Sequence, residues 1–202
     1  MGLIHRKKFS LPDLIPTQME AEGFWFEVLQ PIHAELDFHA IMRSKEFLRR
    51  WSNSSWPVDE FTLEDNLQDL NWHYDEFTEA TAFTYTIIDH DKNQCLGCFY
   101  IRDITSIQSM SPDEILKLVP FQFFVSYWVI PDIRNTPLEN TIFTNLLKWL
   151  KRDWNFPSVL FASNRQIPEQ NKIYQTNQMQ LYLELKLNNR YQLFWTPIKD
   201  EN

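Results

Sequence analysis

Residues 121–130 read FQFFVSYWVI and residues 159–162 read VLFA, and a short polar turn and one amphipathic segment lie between these two apolar runs. A run that is apolar on both faces of its pleat is typical of a strand that is covered on both sides. Two such runs joined by a helix predict a parallel crossover. Sheets of this kind bind ligands beyond the carboxyl end of the first strand, beside the N-terminus of the next helix. The sequence therefore predicts a ligand crevice at residues 131–140.

The rest of the chain predicts one mixed α/β domain around this crossover. Residues 1–23 are expected to form an irregular N-terminal arm, and residues 24–202 a single domain. Hydrophobic periodicity predicts a strand, two helices, an antiparallel hairpin, the crossover, a last helix and a C-terminal hairpin, in that order. The sheet should contain about seven strands. Residues 103–120 form an insertion that begins a short helix at a capping box.

The composition restricts the partners of the protein. Its 27 acidic and 19 basic residues give a formal net charge of -8, which repels phosphate backbones, so we expect no nucleic-acid partner. No apolar run approaches the roughly 20 residues of a membrane helix, so we expect a cytoplasmic protein with no membrane partner. The 31 aromatic residues, 16 Phe, 8 Trp and 7 Tyr, are enough for a large core. Either an exposed strand edge or part of this aromatic set would form the face of a homodimer, and the alternative is that the aromatic residues fill a deep core.

The two cysteines, Cys95 and Cys98, form a C-x-x-C in a segment that is expected to be a strand. Side chains three residues apart on a regular strand point to opposite faces of the sheet. Zinc and redox motifs need both sulfurs on one side, and the sequence has no second cysteine pair. We therefore predict two small buried strand residues and no metal site.

The order of the elements, together with YWVIPDIR at residues 127–134, resembles the GNAT family of acyl-coenzyme A N-acyltransferases. The resemblance covers about residues 24–195 and implies a GNAT-like fold with acetyl-CoA as co-substrate. It implies that the backbone groups of Val129 and Ile130 bind the pantetheine arm. It also implies that a loop segment faces the pyrophosphate, formed by Arg134, Asn135, Thr136 and Leu138.

The loop departs from the family pattern, which is Arg or Gln, two residues, Gly, one residue, and then Gly or Ala. Residues 134–139 read RNTPLE, so Pro137 and Glu139 stand at the two small positions. An anion site at a helix start needs free N–H groups, close backbone approach and no competing negative charge. Without the resemblance, residues 136–139 are an ordinary capping box in which Thr136 caps the helix and Glu139 folds back to the cap.

Acyl transfer to an amine needs a base for the ammonium and an acid for the leaving thiolate. By resemblance, Tyr174 on the last helix is the candidate acid. The central strand offers no carboxylate, so Asp37, His73 and Asp132 all remain candidates for a base that acts through water.

An acceptor wall is expected in the loop between the first two helices, where Trp51 and Trp56 would supply apolar surface and Asp59 an anion for a protonated amine. The alternative is that these tryptophans cap the core and the acid faces solvent.

These observations favour an N-acyltransferase that uses acetyl-CoA and acts on an amine of a small molecule or peptide. Two other functions remain open. One is a catalytically degenerate GNAT-like module for binding or interaction, and the other is a pocket for a different apolar ligand. The absent loop glycines favour these two alternatives, and Arg134 with its strand and turn favours the transferase.

Overall fold

The computed structural model describes residues 11–107, 110–156, 158–187 and 190–198. Within these ranges the chain forms one eight-stranded mixed sheet and five α-helices. The strands are β1 (Gln18–Ala21), β2 (Phe24–Val28), β3 (Ala82–Asp89), β4 (Cys95–Asp103), β5 (Phe123–Val129), β6 (Leu160–Asn164), β7 (Met179–Leu187) and β8 (Arg190–Pro197). The helices are α1 (Ala34–Ser52), α2 (Leu63–Thr78), α3 (Pro112–Leu118), α4 (Pro137–Arg152) and α5 (Pro168–Thr176).

The strand order across the sheet is β1-β2-β3-β4-β5-β6-β8-β7. All neighbouring pairs are antiparallel except β5 and β6, which are parallel and joined by α4. The predicted mixed sheet with a central parallel crossover is therefore confirmed. The extra strand is β1, which lies in the segment predicted to be an irregular arm and pairs with β2. Residues 1–10 of that arm lie outside the described residues.

The two faces of the sheet are covered by different helices. Phe99 of β4 packs edge-on against Trp149 of α4, with ring centroids 5.9 Å apart. The next residue, Tyr100, contacts Trp51 at the end of α1, with centroids 5.7 Å apart. Successive residues of a strand point to opposite faces, so α4 and α1 lie on opposite sides of β4. This arrangement explains the apolar character of the central strands on both faces. No described helix combines the length and the apolar character needed to cross a membrane.

A bulge in β4 changes which residues share a face. Ile87 of β3 pairs with Gly97, whereas Ile88 pairs with Cys95, so Leu96 is an additional residue in β4. The extra residue puts Cys95 and Cys98 on the same face, and both thiols contact Asp37 of α1. The prediction that the two cysteines face opposite ways was therefore wrong, because it assumed a regular strand.

Candidate functional site

The site begins where β5 and β6 separate. The two strands pair at Phe124 with Leu160 and at Val125 with Phe161, which is the last pair. Two residues further along β5, the Tyr127 carbonyl accepts hydrogen bonds from two side chains. Trp51 Nε1 of α1 donates at 2.8 Å, and Gln170 Nε2 of α5 donates at 2.6 Å. Side chains from two helices therefore converge on the separating end of β5.

Two of the backbone groups assigned to a pantetheine arm already form internal hydrogen bonds. The Val129 carbonyl accepts a hydrogen bond from the Arg134 guanidinium at 2.8 Å. The Ile130 N–H donates to the Leu96 carbonyl of the bulge at 2.9 Å. The Ile130 N–H can pair with a ligand only if this internal hydrogen bond breaks, at a net cost of about 0.5–1.5 kcal/mol, whereas the Val129 carbonyl has a second lone pair.

Arg134 is held against the protein. Its guanidinium carbon lies 3.6 Å from the ring centroid of Phe47 on α1, a cation–π contact. Burial lowers the pKa of Arg134, and the nearby charges of Glu139 and Glu169 oppose that shift. The guanidinium was predicted to face the pyrophosphate. In the structure it stacks on the Phe47 ring and donates a hydrogen bond to the Val129 carbonyl.

The start of α4 carries its own anion. Glu139 is 2% exposed, and its carboxylate accepts hydrogen bonds from the Asn135 backbone N–H and from the Tyr127 hydroxyl. The predicted capping box is wrong in detail. Glu139 folds back, but it binds the amide of Asn135 rather than that of Thr136. The Thr136 hydroxyl donates to the Ile133 carbonyl at 2.6 Å and does not cap the helix. Leu138 is partly buried and packs against the hydrophobic core.

Burial raises the pKa of Glu139 above its usual value, and the hydrogen bonds from Asn135 and Tyr127 oppose this shift. An anionic ligand at this loop would have to displace the carboxylate from the Asn135 amide and would meet its negative charge. The loop residues therefore do not fit the pyrophosphate of a coenzyme as the structure stands.

A large cavity opens beside the same end of β5. Its volume is about 1030 Å³, within the range of small-molecule sites. Aromatic side chains supply much of its wall, namely Trp51, Trp56, Trp72, Tyr100 and Tyr191. Its polar lining includes His73, Asp69, Arg102, Ser126 and Asn164. Trp51 and Trp56, predicted as an acceptor wall, thus lie together at one cavity.

Three titratable side chains line the cavity, namely His73, Asp69 and Arg102. Burial lowers the pKa of His73, and Glu76, whose carboxylate lies 3.2 Å from His73 Nδ1, opposes the shift. Burial raises the pKa of Asp69, while His73 and a hydrogen bond from Trp56 act in the other direction. Arg102 lies over the rings of Trp72 and Tyr100, at 5.9 and 5.7 Å. Arg102 forms no ion pair with any described residue.

The other predicted residues lie elsewhere. Asp59 is paired on the surface with Lys45 and Arg49, whose hydrogen bonds lower its pKa to about 2. Asp59 is not among the residues that line the cavity with Trp51 and Trp56. Asp132 forms an exposed ion pair with Arg43.

Tyr174 is fully buried, and its hydroxyl donates to the Ala162 carbonyl at 3.2 Å. Burial raises the pKa of this phenol well above its usual value. Tyr174 is not among the residues that line the cavity, so the structure does not bring the predicted acid together with His73 or the acceptor wall.

The sequence matches no protein-family model and no curated protein. Solved structures do match. A ribosomal-protein-S5-alanine acetyltransferase from Vibrio fischeri has 15% identity and a TM-score of 0.66, over 92% of this chain and 98% of that one. RimL, a ribosomal L7/L12 α-N-protein acetyltransferase, has 15% identity and a TM-score of 0.67, over 98% and 100%. This chain has the GNAT fold.

A third GNAT-fold structure is the microcin C7 self-immunity acetyltransferase MccE in complex with acetyl-CoA and AMP. It has 12% identity and a TM-score of 0.67, over 89% of this chain and 94% of that one. The GNAT fold is therefore shared over nearly the whole chain, although the sequences have diverged widely. Fold alone does not assign activity, which has to be argued from the residues at the site.

Sequence reasoning missed Gln170 and Arg102. Gln170 lies among polar residues of α5, and no motif marks it as a partner of the Tyr127 carbonyl. Arg102 could have been suspected, because it is a charge at the end of an otherwise apolar strand. A charge in that position either ends the strand or faces a cavity.

Proposed function

We propose that this chain is a GNAT-fold binding protein. Its own side chains form hydrogen bonds with backbone groups of the crevice in which a coenzyme is expected. The observation that carries the proposal is the pair of hydrogen bonds from Trp51 and Gln170 to the Tyr127 carbonyl. The Glu139 carboxylate at the Asn135 amide supports it from the other end of the crevice. Each of these contacts occupies a backbone polar group at the separating end of β5 or at the start of α4, between which the resemblance puts the coenzyme.

The proposed ligand occupies the cavity of about 1030 Å³. Aromatic rings on its walls favour a flat apolar or aromatic body, which can stack on them. Arg102 lies over the rings of Trp72 and Tyr100 without a carboxylate partner among the described residues. A guanidinium in that state favours an acidic group on the ligand. The ligand class is therefore a small planar molecule that carries a negative charge.

The second candidate function is acetyl-CoA-dependent N-acyl transfer to an amine of a small molecule or peptide. It is favoured by the GNAT fold and by the acetyltransferases that share this fold, among them MccE with acetyl-CoA. His73 at the cavity would be its candidate base. This function requires that Glu139 leaves the Asn135 amide, which the resemblance assigns to the pyrophosphate. Placement in the cytoplasm, without nucleic-acid or membrane partners, is part of both proposals, and a homodimer is to be tested by sedimentation.

Isothermal titration with acetyl-CoA separates the two functions. The binding proposal expects no saturable heat at millimolar acetyl-CoA and no rise in melting temperature. A ligand at 100 times its dissociation constant would stabilise the fold by about 2.7 kcal/mol, which is easily seen. Micromolar binding with such stabilisation would overturn the binding proposal and favour the transferase.

A further inference from the structure

A second buried cluster lies between α1 and the bulge of β4, and none of its members lines the cavity. The Cys98 thiol lies 3.3 Å from Oδ1 of Asp37, and the Cys95 thiol lies 3.9 Å from the same oxygen. The three ligand atoms all lie within 4.8 Å of one another. Each of the three residues is at most 2% exposed. The cluster forms because Leu96 bulges and turns both thiols toward α1.

The cluster has no cation among the described residues to balance its carboxylate. The groups that act on Asp37 are the two thiols, the side-chain amide of Asn66 and the acidic Asp69. A buried carboxylate whose donors are mainly thiols is weakly satisfied, because a thiol is a weak hydrogen-bond donor. A bound cation would give the carboxylate a direct partner of opposite charge.

Asn66 provides an independent observation. Its side-chain amide acts on the Asp37 carboxylate, and its Nδ2 donates to the Ala34 carbonyl at 3.0 Å. Asn66 is 0% exposed, and its Oδ1 has no hydrogen-bond partner among the described residues. Buried amide oxygens are almost always paired, so the unpaired Oδ1 of a residue that neighbours Asp37 indicates a missing partner.

We propose that Asp37, Cys95 and Cys98 bind a zinc ion, with Oδ1 of Asn66 as the fourth ligand. Two sulfurs and two oxygens are a donor set that zinc accepts in tetrahedral geometry. With Zn–S near 2.3 Å and Zn–O near 2.0–2.2 Å, ligand atoms of a tetrahedron lie roughly 3.5–3.8 Å apart. The two sulfur–oxygen distances of 3.3 and 3.9 Å fall on either side of that range.

Binding deprotonates both thiols and releases their protons to solvent, and no electron is transferred. The ion carries a charge of +2 and faces two thiolates and one carboxylate, which leaves the site with one net negative charge. Because all of the ligands come from protein and are buried, the site is closed to substrate, as structural zinc sites are. Its effect is to fasten α1 to the bulge, on the face of β4 where Tyr100 lines the cavity.

The test is the metal content of the full chain, produced without a polyhistidine tag in zinc-supplemented medium and measured by plasma mass spectrometry. The expected content is about one zinc per chain, and Cys98→Ser should lose most of it. Asp37→Asn keeps the size of its side chain and should bind zinc at least tenfold more weakly. Asp132→Asn, at the exposed ion pair with Arg43, is the matched control and should keep the wild-type content.

Cobalt gives a second measurement that does not depend on the folding of a variant. Wild-type protein is unfolded with chelator under reducing conditions and refolded with cobalt chloride. Thiolate-to-cobalt charge transfer in the near ultraviolet, with strong tetrahedral bands in the visible range, is expected. A wild-type chain that takes up neither zinc nor cobalt would overturn the proposal. Metal content unchanged in Cys98→Ser would overturn it too, as would a Cys95–Cys98 disulfide in the freshly isolated protein.

Discussion

The carboxylate of Glu139 accepts a hydrogen bond from the backbone N–H of Asn135. In the GNAT resemblance, that amide is the first of the loop that faces the pyrophosphate. The protein thus carries a tethered anion where a diphosphate would have to bind. A tethered group competes at a high effective concentration, so a free ligand is at a disadvantage from the start.

Replacing Glu139 should therefore improve coenzyme binding. Removal of one buried negative charge about 4 Å from a bound anion is worth roughly 4 kcal/mol at an effective dielectric constant near 20. We expect Glu139→Ala to show saturable acetyl-CoA binding in isothermal titration at concentrations where wild type shows none, a gain of at least tenfold or about 1.4 kcal/mol. Glu114→Ala, at the start of the remote helix α3, is the control and should behave like wild type. Absence of saturable binding in Glu139→Ala as well would show that Glu139 is not what prevents acetyl-CoA from binding.

The same carboxylate should make stability depend on pH. Because burial raises the pKa of Glu139, the folded protein binds more protons than the unfolded chain above the ordinary value of 4.5. The free energy of unfolding then falls as pH rises through that region, and Glu139→Gln lacks this loss. We expect the stability of Glu139→Gln relative to wild type to increase as the pH rises above 4.5 in urea titrations. A difference that stays constant with pH would contradict a raised pKa.

Arg102 should determine affinity for acidic ligands of the cavity. The planar anion 1-anilinonaphthalene-8-sulfonate is a suitable probe, because its fluorescence rises on binding. We expect Arg102→Met to weaken saturable binding at least tenfold, since it removes a charge-assisted contact worth about 1.5–3 kcal/mol. Arg152→Met removes an exposed arginine that pairs with Asp153, and it should bind like wild type. Equal loss in both variants would mean that the dye responds to net charge rather than to the cavity.

The bulge of β4 depends on Gly97. A Cβ at this position would lie 2.0 Å from the Trp128 carbonyl oxygen and 2.8 Å from the Val129 Cα, and the φ angle is +151°. We expect Gly97→Ala to lose at least about 4 kcal/mol of unfolding free energy, because backbone atoms of β5 would have to move. Gly23→Ala is the matched control. Its φ is +91° but a Cβ there meets nothing within 4 Å, so its cost should be limited to about 1–2 kcal/mol of strain. Similar losses in the two variants would refute steric control at the bulge.

Tyr174 should contribute to stability rather than to chemistry. Tyr174→Phe removes the hydrogen bond to the Ala162 carbonyl and leaves the ring packing in place. We expect a loss of about 1 kcal/mol of unfolding free energy and unchanged dye binding. An acetylation rate that is present in wild type and absent in a stable Tyr174→Phe protein would restore its role as the acid.

The fold was predictable where the burial of a strand on both faces determines the hydrophobic pattern of its sequence. The run at residues 121–130 is apolar on both faces because α1 and α4 cover β5 and its neighbours from opposite sides. That requirement is local to the strand, so it can be read from the sequence. The parallel pairing with β6 then follows from the length of α4, and the position of the crevice follows from the pairing.

The site was harder to predict, because its contacts join distant parts of the chain. The Tyr127 carbonyl is bound by Trp51, 76 residues away, and by Gln170, 43 residues away. Side-chain hydrogen bonds to backbone carry no periodic signal, so neither contact can be inferred from spacing. The bulge at Leu96 cannot be recognised from the sequence either, since a single inserted residue changes which face of the sheet the side chains point to without altering the composition.

This insertion bears on which changes the β3–β4 hairpin can tolerate. Deletion of Leu96 would restore a regular ladder in which Cys95 still pairs with Ile88 and Gly97 with Ile87, so both thiols would keep facing Asp37. The deletion would instead remove the carbonyl that accepts a hydrogen bond from the Ile130 N–H. The length of this hairpin is therefore tied to the carboxyl end of β5, where the strand enters the loop before α4.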